Sequence, residues 1–155
     1  MKPPNDVIQL FPHGLHFQNS SLNEIAIFKY YSEFPHSLVD FCGLIGTDAS
    51  KSSNLTAIAG CSLKGHFGYL IYQANSIFTN ETLAIVTAID KLVCPSRIFI
   101  IFTDSRSVLS AFWAVSTASQ SVILWLHAKL QCAAPYTPTL IISWVPEKSW
   151  LPFEW

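Results

Sequence analysis

Apolar and polar residues follow no sustained period over residues 1–39, and from residue 40 onward they do. Pro3, Pro4, Pro12 and Pro35 interrupt the first stretch, where Asn, Ser and His are frequent. It reads as a connector or the tail of a preceding region, with a short helical piece around residues 24–31. Residues 41–47 are an apolar run of strand length that ends at Asp48. Residues 48–54, rich in Ser and Lys, predict a turn. Two β-leaning segments follow, 56–63 and 68–74, around Lys64-Gly65-His66-Phe67, a connection suited to a hairpin. The first three strands therefore form an antiparallel meander.

The period then shifts from the strand value to the helical one. Thr79 is a candidate N-cap, with Glu81, Ile85, Ala88, Ile89 and Leu92 on one helical face, and Pro95 closes the helix. Residues 97–103 form a continuous apolar run, the pattern of a strand buried on both faces. That strand is expected to be central and parallel to 41–47, with the hairpin at one side. Helices are predicted over 105–115 and over 119–132, the latter with Val122, Leu126 and Leu130 as its stripe. A last strand, 139–145, stops at Pro146. The order β-β-β-α-β-α-α-β predicts an α/β domain over residues 40–155: a mixed five-stranded sheet with helices on its faces.

Composition narrows the function classes less than the pattern does. The chain has 155 residues, 50% of them apolar and 12% charged, which excludes a disordered chain and suits one domain with a real core. So little charge predicts a poorly soluble surface or one covered by partners. The net charge of −1 gives no global signal for nucleic acid, so any such binding depends on local placement. Cys42, Cys61, Cys94 and Cys132 are scattered, without metal-ligand spacing, and read as buried reduced thiols. His13-Gly14-Leu15-His16 is a weak metal motif, interrupted by Gly and lacking an acidic partner. Neither a signal-peptide pattern nor an apolar run of about 18 residues is present. An intracellular protein, neither secreted nor membrane-bound, is expected, and the Asn-x-Ser/Thr triplets are chance matches.

Three short stretches carry candidate chemistry: Gly46-Thr47-Asp48-Ala49-Ser50, Asn80-Glu81-Thr82-Leu83-Ala84 and Phe102-Thr103-Asp104-Ser105. Each places one carboxylate at the edge of a predicted element, where three can converge without entering the core. Converging carboxylates repel one another unless a cation sits among them, so the arrangement predicts a Mg²⁺ site and phosphoryl-transfer chemistry. Each acid also has an ordinary explanation. Asp48 could form an Asx turn, Glu81 could favour the first turn of a helix through the dipole, and Asp104 could cap the helix from Ser105.

These stretches, with Ser105-Arg106-Ser107-Val108-Leu109 and Ile142-Ser143-Trp144-Val145-Pro146, resemble the ribonuclease H family, in particular the ribonuclease H domains at the end of non-LTR retrotransposon polyproteins. The resemblance covers residues 41–146. It implies a ribonuclease H-like fold in which Asp48, Glu81 and Asp104 hold Mg²⁺ ions while the RNA strand of an RNA–DNA hybrid is cut. It also implies as partners that hybrid and the rest of a reverse-transcriptase polyprotein. Two departures bear on activity. Ala49 stands where the family has Gly. After Trp144-Val145-Pro146 the family continues with a His-bearing loop, a fourth Asp and a final helix; here the sequence reads Glu147 to Trp155, with no Asp after Asp104. The expectation is a domain truncated at its C-terminus, its final helix missing, one sheet face uncovered and its cleavage weak or absent. A catalytically inactive remnant that keeps the fold and binds nucleic acid is the alternative, and an unrelated domain using its apolar surface to bind protein is a third.

Overall fold

The apolar runs become strands of one mixed sheet, and the helical-period segments pack against it. The structure, a computed structural model, describes residues 8–9, 43–94, 98–136 and 139–145. Its strands are β1 (Ile8–Gln9), β2 (Gly43–Lys51), β3 (Thr56–Ser62), β4 (Gly65–Leu70), β5 (Ile98–Thr103) and β6 (Thr139–Trp144), in the spatial order β1-β6-β5-β2-β3-β4. The helices are α1 (Ile77–Leu92), α2 (Arg106–Trp113) and α3 (Ser121–Ala133). Strands β2, β3 and β4 are antiparallel neighbours, whereas β5 is parallel to β2 on one side and to β6 on the other.

The continuous apolar run is central for a physical reason. Leu44 pairs in register with Ile100, and Ile45 with Ile101 and Ile142, so the two sets point to opposite faces. All five are buried, as is Phe102. Both faces of the sheet centre are therefore covered, and the expectation of one uncovered face fails at these positions. Two glycines let aromatic rings lie flat on the sheet. The space a Cβ would take at Gly60 is filled by the Phe67 ring, and at Gly43 by the Phe99 ring. In α3 the predicted stripe of Val122, Leu126 and Leu130 is buried.

Several boundaries differ from the sequence expectation. Strand β2 continues through Asp48 to Lys51, because its polar end still pairs with β3, from Asp48 opposite Ala59 to Lys51 opposite Thr56. Backbone pairing does not require apolar side chains, and the turn comes later, where Ser52 N–H donates to the Leu55 carbonyl at 2.8 Å. The β3–β4 connection is a tighter turn at Leu63 and Lys64, with Ser62 opposite Gly65. Its corner is held by Ser62 Oγ, which accepts from Lys64 N at 3.2 Å.

The segment read as a connector also contributes β1, parallel to β6 with Ile8 opposite Ile142. The cysteines differ too: Cys61 is half-buried and Cys94 and Cys132 are exposed, against the expectation of buried thiols. Cys42 and the His13–His16 motif lie outside the described residues, as do Pro95, Pro138 and Pro146. No helix among the described residues is long and apolar enough to cross a membrane.

Candidate metal centre

The N-cap of helix α1 lies three residues before the predicted one. Ser76 is the N-cap: its hydroxyl accepts from Thr79 N–H at 3.1 Å and lies 3.0 Å from Thr79 Oγ1. Glu81 is consequently beyond the first turn, which contains no acid, and helix-dipole stabilisation fades over that distance. The side chain is nonetheless buried, 8% exposed. A carboxylate is costly in such a place unless something compensates it.

The other two acids escape their ordinary explanations as well. Asp48 is half-buried inside the paired part of β2 rather than in a turn. Asp104 directly follows β5, and the N-cap of α2 is Ser105.

What the structure does is bring them together. Asp48, Glu81 and Asp104 each present one carboxylate oxygen, and these oxygens lie within 4.8 Å of one another. Four contacts fix the elements that carry them. Thr47 Oγ1 donates to the Phe102 carbonyl at 3.1 Å, tying β2 to β5 beside Asp48 and Asp104. Lys51 Nζ donates to the Asn75 carbonyl at 2.6 Å, and Gln73 Nε2 donates to the Ser53 carbonyl. Those two bonds hold the segment leading into α1 against the end of the β2–β3 hairpin. The fourth is Trp144 Nε1, which donates from β6 to the Asp104 carbonyl at 3.1 Å.

The turn around Asp104 is further shaped by Ser105 N–H, which donates to Thr103 Oγ1 at 3.2 Å, and by Val145 N–H, which donates to the Thr103 carbonyl at 2.9 Å. Arg106 sits over the Trp144 ring, 5.5 Å from its centre. The three acids are legible in the sequence, and these supports are not. Trp144 belongs to the resembling motif at the end of the last strand, and nothing local indicates that its indole reaches a backbone forty residues away.

No protein-family model and no curated protein sequence matches the chain. The site must therefore be judged on its own chemistry.

All three donors are carboxylates, and their burial runs from buried Glu81 through half-buried Asp48 to exposed Asp104. A hard cation prefers oxygen ligands, and Mg²⁺ keeps several waters while bound by a few carboxylates. A cluster closed toward the core and open at Asp104 fits that preference. Softer metals favour thiolate or imidazole, neither of which belongs to the cluster.

Asn80, next to Glu81, is fully buried, and its side-chain oxygen and nitrogen make no hydrogen bond.

Proposed function

We propose that the chain is a ribonuclease H-type domain that binds Mg²⁺ through Asp48, Glu81 and Asp104 and hydrolyses the RNA strand of RNA–DNA hybrids. The observation that carries this reading is the convergence of three acids from β2, α1 and the end of β5, one carboxylate oxygen of each lying within 4.8 Å of the others. The strand order supports it. An antiparallel β2-β3-β4 meander followed by parallel β5 and β6, with helices between, is the arrangement that the resembling motifs imply.

Within this reading Glu81 anchors the inner, buried side of the site. Asp104 faces solvent, on the side from which a nucleic-acid backbone can approach, and Trp144 positions it through its carbonyl. The three carboxylates alone would repel a phosphodiester, so substrate binding depends on cation binding. A bound Mg²⁺ would supply charge neutralisation and a more acidic water.

Binding is tested by titrating Mn²⁺, a Mg²⁺ surrogate, into the chain and reading free ion by electron paramagnetic resonance. The proposal expects saturable binding that Mg²⁺ competes away and that Asp48→Asn and Glu81→Gln weaken. Identical titrations for the wild type and both variants would overturn it.

A further inference from the structure

One cavity of the described structure is remote from the acids. It has a volume of about 400 Å³ and lies between the β3–β4 turn and the last turn of α1. On both routes the distance from the metal centre is long. Five strand residues separate Gly43, which lines the cavity, from Asp48, or about 16 Å at 3.3 Å per residue. Ten helical residues separate Lys91 from Glu81, or about 15 Å. The cavity thus belongs to a different end of the sheet.

Its chemistry is two-sided. Phe67, Leu92 and Phe99 supply apolar wall, and Phe67 and Phe99 are rigidly seated because each ring occupies the place of a neighbouring glycine's side chain. Lys64, His66 and Lys91 line it too, and all three are exposed. Among the described residues none of the three makes an ion pair or a side-chain hydrogen bond. No acidic residue is found among the described residues that line the cavity. Ligand pockets of about 300–1,000 Å³ with an apolar lining and a few polar groups are the usual form of small-molecule sites. Among the described lining residues the charged groups that can orient a ligand, Lys64 and Lys91, are cationic.

We propose that this cavity is a second ligand site, for a small amphipathic carboxylate whose apolar chain packs on Phe67, Leu92 and Phe99 while its carboxylate meets the Lys64, His66 and Lys91 rim. The volume excludes a long lipid and suits a medium-length chain. The site is independent of the metal centre and does not rest on the nuclease reading.

The test uses decanoate as the probe, kept below its micellar concentration, with the uncharged decanol beside it. Amide chemical shifts of the ¹⁵N-labelled full chain are followed during titration. The expected result is saturable shifts at Gly65, Phe67 and Leu92 with none at Asp48 or Asp104. Decanol should bind about tenfold more weakly. The K64E/K91E variant should lose decanoate affinity by a similar factor, and K64Q/K91Q, which removes charge without reversing it, by a smaller one. Thermal melts of both variants show whether the fold is kept. No saturable shift, equal binding of decanol, or undiminished affinity in the folded variants would each overturn the proposal.

Discussion

Replacing Asp48 by Asn should stabilise the protein when divalent ions are removed and should blunt its response when they are restored. The carboxylate oxygens of Asp48, Glu81 and Asp104 lie within 4.8 Å of one another. Two unit charges at that separation repel by about 0.9 kcal/mol at the dielectric constant of water and by about 3.5 kcal/mol at an effective value of ~20. Asp104 is exposed, so the wetter limit is the better guide. Asp48→Asn removes two such repulsions, and physiological salt screens part of each. A net gain of about 1–2 kcal/mol in EDTA follows, or roughly 3–6 °C in Tm for a chain of this size. Mg²⁺ at ten times its Kd should stabilise the wild type by about 1.4 kcal/mol and the variant by much less, so the gap between them narrows. Melting both proteins by circular dichroism, with EDTA and with a Mg²⁺ series, measures each quantity. A variant less stable than the wild type in EDTA, or one with an unchanged Mg²⁺ response, would refute the reasoning.

Four other substitutions probe the supports of the site, the sheet and α1. Trp144→Phe deletes the indole N–H that reaches the Asp104 carbonyl; denaturant unfolding should show a loss of about 0.5–1.5 kcal/mol, and the Mn²⁺ titration a weaker affinity. Gly60→Ala places a methyl group where the Phe67 ring lies, and should cost about 1–3 kcal/mol by the same unfolding measurement. Ser76→Ala removes the cap of α1 and should cost about 1 kcal/mol, whereas Thr79→Ala should cost less if Ser76 is the true cap.

How far the sequence announces this structure depends on what kind of force sets each element. The buried centre of the sheet is legible because burial on both faces demands a continuous apolar run, as in Ile98–Thr103. The body of α1 is legible for the same reason: Ile85, Ala88 and Ile89 recur at helical spacing and are buried. Its start is not, since Ser76 and Thr79 are both good caps and only the geometry of the preceding loop chooses between them. The polar end of β2 is illegible because Asp48 to Lys51 are held in the strand by their partners on β3, not by their own side chains.

The candidate site divides in the same way. Its acids are recognisable from residue type and order, but their ordinary explanations could be set aside only after the structure placed Glu81 beyond the first turn and Asp48 within β2. The long-range supports from Trp144 and Lys51 leave no local trace in the sequence.

The most direct test of the central claim is cleavage of a labelled RNA–DNA hybrid by excess purified protein in a single turnover, with and without Mg²⁺, beside Asp104→Asn. The account predicts cutting confined to the RNA strand, dependent on Mg²⁺ and abolished by the substitution. An intact hybrid at every Mg²⁺ concentration, or cutting that survives Asp104→Asn, would contradict it.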